Sequence, residues 1–187
     1  IVQSTAAPTL ALVLRLRDTM NIDQFGAGVG GDDAPAINAA KAIWRDLRAS
    51  QNKTYLIGTE IDFNATISFN GAGHNTIFKW TGANPATAPD KDGGDGVFRV
   101  APTDTGAGAL ANARIGNFTL DLDGAQNLIG MVCIRATSQS RVENIAVKEI
   151  GVNSCGYYFS KEWYASFGAL LAKPRSGFEQ EAGTVGF

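Results

Sequence analysis

A few groups of side chains in this sequence are of types that could do chemistry. Asp121 and Asp123 alternate around Leu122, which puts both carboxylates on one side of an extended segment. Two carboxylates can act as acid and base in glycoside cleavage when their carboxyl groups lie about 5 to 9.5 Å apart. The same run, Asp121-Leu-Asp-Gly124, also reads as a solvated turn. Glu162, Trp163 and Tyr164 follow Lys161, and exposed aromatic rings beside a carboxylate can stack on the apolar faces of sugars. The alternative is that Trp163 packs against a neighbouring segment or subunit. Glu179 and Glu181 also alternate and read as a solvated face. His74 is the only histidine; it follows Gly71-Ala-Gly73 in a turn, and no nucleophile motif supports a Ser-His-Asp relay through it.

The sequence implies no cofactor and no metal. One histidine and two cysteines cannot form a zinc site at a recognised spacing, and the scattered acids give no calcium loop. The glycine-rich run Gly26–Asp33 precedes a helix as a phosphate cradle would. No Lys-Ser/Thr follows it, however, and Asp32 and Asp33 stand where an anion would go. These aspartates read as N-caps of the helix, with Pro35 in its first turn. A net charge of −2 offers no basic footprint for nucleic acid, and no run of about 18 apolar residues implies membrane insertion.

The elements that must position these residues are set by a repeat. Arg114-Ile-Gly-Asn-Phe-Thr-Leu120 returns as Arg141-Val-Glu-Asn-Ile-Ala-Val147, 27 positions on, and more weakly as Ser166-Phe-Gly-Ala-Leu-Leu-Ala172 after a further 25. Each copy carries apolar residues at its second, fifth and seventh positions. A fixed period in this range marks a stack of supersecondary units that share one core. Short runs of this kind, bounded by Gly, Asn and Asp, are strands. The expected fold is all-β, a parallel β-helix whose interior holds Ile115, Phe118, Leu120, Val142, Ile145, Val147, Phe167 and Leu170. Asn117 and Asn144 would stack and hydrogen-bond along the axis, while Ala169 breaks the ladder. Cys133 aligns with Phe159 rather than with Cys155, so no disulfide is expected.

The N-terminal part carries the ends of such a stack. Residues 1–7 are small and polar and are expected to be poorly ordered. Leu10, Leu12, Leu14 and Leu16 alternate like a strand, yet Leu10, Val13, Leu14 and Arg17 fit a helical stripe. A short helix over Thr9–Arg17 is favoured, because Pro8 suits a first turn and Leu, Ala and Arg are good helix formers. A strand Asn21–Phe25 follows. A helix over Ala34–Leu47 would cover the open end of the stack through Ile37, Ala40, Trp44 and Leu47. Short strands are expected at Tyr55–Ile57, Ile61–Phe63, Thr66–Phe69 and Thr76–Lys79, then a long loop over Gly82–Gly96. Because Ile1 is not a methionine and Gly183–Phe187 is apolar, the chain is expected to be the N-terminal part of a longer solenoid.

These landmarks resemble a known family. Phe25-Gly-Ala27 with Asp32, Asp33, Ala36, Ile37, Ala39 and Ala40 is similar to the N-terminal motif of bacteriophage tailspike and tail-fibre proteins with a pectate-lyase-like right-handed β-helix. Thr54–Ile57, Gly71-Ala-Gly73 with Thr76–Lys79, and Asn117–Asp121 with Asp123-Gly124 are similar to that family's first coils. The resemblance implies a neck and trimerisation segment over residues 1–20 and a β-helix domain from 21 to 187. It implies a homotrimer in the phage tail, joined through its N-terminus to other tail or baseplate proteins, that binds and depolymerises a bacterial surface polysaccharide. A non-catalytic receptor-binding tail protein and a bacterial polysaccharide lyase or hydrolase share the scaffold. The family's active sites are carboxylates on the outer face of later coils or in grooves between subunits, so the main carboxylates are expected beyond Phe187, and the resemblance supports the solvated-turn reading of Asp121–Gly124. Within this sequence Asp121 and Asp123 remain the catalytic candidates and Glu162, Trp163 and Tyr164 the glycan-binding ones.

Overall fold

A computed structural model of the chain describes residues 2–4, 7–12, 19–90, 93–102, 110–137, 139–160 and 165–174. The fold is mostly β. Strands β1 (Val2–Ser4) and β2 (Ala7–Leu12) form an antiparallel pair. Next come β3 (Met20–Asn21), a 3₁₀ turn (Ile22–Phe25) and the helix α1 (Ala34–Ile43). Six strands follow: β4 (Asp46–Arg48), β5 (Thr54–Ile57), β6 (Ile61–Phe63), β7 (Ser68–Asn70), β8 (Ile77–Trp80) and β9 (Gly96–Val100). The last seven are β10 (Leu110–Ala111), β11 (Arg114–Asp121), β12 (Ile129–Ile134), β13 (Ala136–Thr137), β14 (Arg141–Ile150), β15 (Cys155–Ser160) and β16 (Ser166–Pro174).

From β3 onward every strand pairing is parallel. One sheet runs β16-β14-β11-β7-β4-β3, with β8 joining β11 and β5 joining β8; a second runs β15-β12-β9-β6; a third pairs β10 with β13. From β11 to β16 successive strands belong to the first, second, third, first, second and first sheets. The repeat inferred from the sequence is therefore the strand register, with Ile115 opposite Val142, Phe118 opposite Ile145 and Leu120 opposite Val147. The third copy follows, with Val142 opposite Phe167 and Ile145 opposite Leu170.

Equivalent residues form columns through the interior. Met20, Leu47, Phe69, Ile115, Val142 and Phe167 make one, and Tyr55, Phe78, Leu120, Val147 and Ala172 another. The second sheet adds Ile61, Phe98, Met131 and Tyr157. Where the columns converge, Phe69, Phe78, Phe98 and Phe118 pack with ring centroids 5.0 to 6.1 Å apart, in tilted and edge-on contacts. Phe167 and Leu170 are only partly buried, being on the last described strand.

The apolar spacing of three and then two has a backbone cause. Asn117 and Asn144 lie in the left-handed region, with φ of 63° and 54°, where Asn is tolerated better than other side chains. Each inserts one residue that does not alternate, so Ile115 and Phe118 both face inward. Their amides form the expected ladder: Asn144 donates to Asn117 Oδ1 at 2.8 Å, and Asn117 donates to Asn70 Oδ1 at 3.2 Å. Ala169 takes the same conformation, at φ 50°, without an amide to extend the ladder.

Four expectations need correction at the N-terminal end. Over Ala7–Leu12 the chain is a strand and not the helix expected from Thr9; residues 13–18 lie outside the described set. A partner strand, Val2–Ser4, satisfies its backbone within what was expected to be a poorly ordered stretch, and the Leu10/Leu12 alternation wins over helix propensity. Ile22–Phe25 is a 3₁₀ turn rather than strand, since Asn21 Oδ1 accepts the Asp23 N–H at 2.9 Å and caps it. Helix α1 stops at Ile43. Trp44 is extended and half-buried, while Leu47 is buried from strand β4, where parallel pairing with β3 and β7 replaces helical contacts. Ile37 and Ala40 are buried as expected, and α1 packs on the 3₁₀ turn and on β6, the end strand of the second sheet.

Both aspartates of the glycine-rich loop are used structurally. Asp32 Oδ1 accepts the N–H groups of Ala34 and Gly58 at 3.0 and 2.8 Å. Asp33 is buried and accepts from Gly28 and Leu56 at 2.6 and 2.7 Å. The protein's own carboxylates fill the cradle that an anion would occupy. Nearby, Asp23 receives the Tyr55 hydroxyl at 2.6 Å, the Ser50 hydroxyl at 2.8 Å and the Lys53 ammonium at 2.9 Å. Burial pushes its carboxyl up, but these donors together outweigh burial and hold it below the usual carboxylate range.

Two outcomes follow. A Cβ on Gly116 would lie 2.1 Å from the Glu143 carbonyl, so Gly116→Ala should cost about 2 kcal/mol or more, whereas Ala169→Asn should gain up to about 1 kcal/mol, both measured by urea unfolding. Asp23, with its folded pKa depressed, contributes stability that is complete above about pH 4 and falls away as pH drops through the folded value. Asp23→Asn should therefore lower the unfolding midpoint at pH 7 and lose that difference progressively under acid.

Candidate functional site

The carboxylates singled out in the sequence sit at the exit of β11. Asp121 ends the strand, in register between Lys79 of β8 and Lys148 of β14. Its Oδ2 lies 3.1 Å from Lys148 Nζ, and its Oδ1 accepts the Asp123 N–H at 3.0 Å. Asp123 is in the turn, at φ 51°, with Oδ1 3.0 Å from Lys79 Nζ. The structure thus brings the two together as an Asp-stabilised turn with a lysine on each carboxylate. Glu162, Trp163 and Tyr164 lie outside the described residues, as do Glu179 and Glu181. His74 is exposed, and its carbonyl accepts the Thr119 hydroxyl at 2.9 Å. Cys133 is buried and Cys155 half-buried, both as free thiols, and burial pushes the Cys155 thiol up to about 11. Among the described residues no group of His, Cys, Asp and Glu could hold a metal ion, and no helix is long and apolar enough to cross a membrane.

A second site was not anticipated. A groove of about 320 Å³ opens between α1 and the segment joining β6 to β7. Asn38 and Lys41 of α1 line it, together with Arg45 just beyond the helix end. Asp62, Asn64, Phe63 and Ile67 also line it, the last two almost wholly buried. Lys41 donates to the Asp62 carbonyl and holds its ammonium 5.3 Å from the Phe63 ring centroid. Burial pulls this ammonium below its ordinary range, and the Asp62 carboxylate only partly restores it. Asn38, Arg45 and Asn64 are exposed, their side chains without a hydrogen bond or ion pair among the described residues.

Asp62 links the groove to an ionic cluster. Arg99, opposite Asp62 in the β6–β9 register, grips Glu60 with two bonds of 2.6 and 2.9 Å and donates to the Gly94 carbonyl at 2.7 Å. Glu60 also accepts the Gly96 N–H at 2.6 Å, and Asp62 Oδ1 stands 3.6 Å from Arg99 Nε. Burial lifts the Glu60 carboxyl above the usual range despite these donors. The cluster fastens the end of the 82–96 loop, whose Asn84 and Pro85 bond to the chain between β11 and β12. Donors and one carboxylate around a groove suit a hydroxylated ligand, such as a sugar.

The alternation Ile61-Asp-Phe63 marks Asp62 as outward-facing. Nothing in the sequence aligns it with Arg99, because the repeat does not extend to β6 and β9.

No protein-family model matches the sequence, and no curated protein does. A solved structure, ORF18 of Geobacillus virus E2, is similar over 78% of this chain, with a TM-score of 0.56 and 23% identity. The matched region is 31% of that protein, so the chain spans about a third of its length. The likeness concerns the fold.

Arg99→Ala would leave Glu60 half-buried and uncompensated, so a loss of about 3 kcal/mol is expected in denaturant unfolding, with most of it restored when Glu60→Gln is added.

Proposed function

We propose that this chain is a right-handed parallel β-helix from a phage tailspike-type protein that recognises a bacterial surface polysaccharide. The observation that carries the reading is the in-register stacking of parallel strands around one column-built interior. The likeness to a phage protein supports it, as does the resemblance at Phe25–Ala27 and Asp32–Ala40. A stack of this kind offers long outer faces on which successive sugars can lie, and the groove beside α1 supplies polar groups. In this reading the protein is a homotrimer in the virion, attached through its N-terminus to other tail proteins and acting outside the host cell.

Depolymerisation belongs to the same proposal, with Asp121 and Asp123 as catalytic candidates and Glu162, Trp163 and Tyr164 as sugar-binding ones. The receptor-binding alternative has an observation of its own, since Lys148 and Lys79 already occupy the two aspartates. The test incubates the protein with capsular polysaccharides and lipopolysaccharides of candidate hosts, then measures binding and new reducing ends. Binding to at least one of them is expected, and failure to bind any would contradict the proposal. Cleavage lost in Asp121→Asn and Asp123→Asn would assign catalysis to this pair. Binding without cleavage would leave receptor recognition as the function.

A further inference from the structure

The margin of the large sheet carries an arrangement of charge that folding does not explain. Arg114 and Arg141 lie directly opposite each other in the parallel β11–β14 register. Neighbouring strands are about 4.8 Å apart, and like charges placed opposite one another destabilise a sheet. Both arginines are exposed, and neither forms a hydrogen bond or ion pair through its side chain among the described residues. The contrast is with Lys79, Asp121 and Lys148 on β8, β11 and β14 of the same sheet, where charges alternate.

The nearest acids do not neutralise the arginine pair. Asp46, in the same column two strands away, accepts the Thr19 hydroxyl at 2.9 Å. Glu143, two residues beyond Arg141, makes no ion pair with either arginine. A third exposed guanidinium, that of Arg45, lies beside this line and not in it. The Arg45 carbonyl accepts the Ser68 N–H at 2.7 Å, but the residue opposite Ser68, and so in the Arg114 column, is Asp46; Arg45 precedes that column by one residue, at the start of the strand two before Arg114. Arg45 also forms the mouth of the groove, beside Lys41 and Asn64. From the strand of Arg45 to that of Arg141 is three strand steps, about 14 Å.

Resting on the reading that an outer face meets a polysaccharide, we infer that Arg45, Arg114 and Arg141 form a binding track for an acidic polysaccharide, one bearing carboxylate groups. Guanidinium forks match carboxylates in a two-bonded geometry, and the strand spacing is close to the length that one sugar adds to an extended chain. The groove receives one end of the ligand, beside Asn38, Lys41 and Asn64. A net charge of −2 provides no long-range field for capturing nucleic acid, so attraction is confined to this margin.

The probe is a galacturonate oligosaccharide, titrated calorimetrically at low and physiological salt, with a neutral dextran oligosaccharide and linear polyphosphate as comparisons. Arg114→Ala with Arg141→Ala should weaken galacturonate binding about tenfold and flatten its salt dependence, and Arg45→Ala should weaken it severalfold. The double variant should unfold at the same denaturant concentration as the parent or higher, because it removes a like-charge pair; charge-retaining lysines at both positions should recover part of the affinity. Unchanged affinity in the double variant would overturn the track. So would failure of the parent to bind galacturonate while it binds a neutral surface glycan, an outcome that leaves the wider functional proposal standing. Tighter binding of polyphosphate, lost in the same variants, would overturn the polysaccharide assignment.

Discussion

The structure depends on holding parallel strands in one register over six successive positions of the main sheet. Side chains alternate along a strand, so a slip of one residue would turn the column of Met20, Leu47, Phe69, Ile115, Val142 and Phe167 out to solvent. Two features oppose such a slip. The left-handed residues Asn117 and Asn144 fix where each strand breaks its alternation, and their amides bond only when they are stacked. Gly71 and Gly116 approach neighbouring carbonyls so closely that no side chain fits, which ties those positions to the same register. Backbone conformation and core packing therefore specify one alignment.

The beginning of the stack is closed by polar chemistry as much as by apolar cover. Helix α1 buries only Ala34, Ile37 and Ala40, a modest apolar face. Around it, Asp32 and Asp33 tie the glycine-rich loop to β5 and the residue after it, and Asp23 joins the 3₁₀ turn to Ser50, Lys53 and Tyr55. Each carboxylate satisfies several donors that would otherwise be left unpaired at the end of a sheet. The groove and the exposed arginines lie outside these polar ties.

The part of the fold governed by the repeat was legible in the sequence. The pattern at Arg114–Leu120 returns at Arg141–Val147, and the strands, the interior positions and the Asn117–Asn144 contact follow from it. The layers before β9 were legible only as strands, because their connections vary in length and no period aligns them. The interlocking of Phe69, Phe78, Phe98 and Phe118 and the meeting of Asp62 with Arg99 were out of reach for that reason. Helix propensity misled at both ends. Leu10 and Leu12 lie in a strand once a partner strand is present, and Leu47 is buried by sheet pairing instead of by a longer α1. For the candidate site, the sequence marked Asp121 and Asp123 as neighbours and the 27-residue repeat sets Lys148 opposite Asp121, but nothing in it pointed to Lys79 on the other side. The groove required knowledge that α1 packs beside β6.

The central claim, that repeats 27 positions apart are stacked in parallel register, can be tested by engineered disulfides. Bridged cysteines need Cα atoms about 4.4 to 6.8 Å apart, which opposite residues on neighbouring strands satisfy and residues offset by two do not. In solution, Arg114→Cys combined with Arg141→Cys should close a disulfide quantitatively under mild oxidation, while Arg114→Cys combined with Glu143→Cys should stay reduced. Closure of the offset pair, or of neither, would contradict the account.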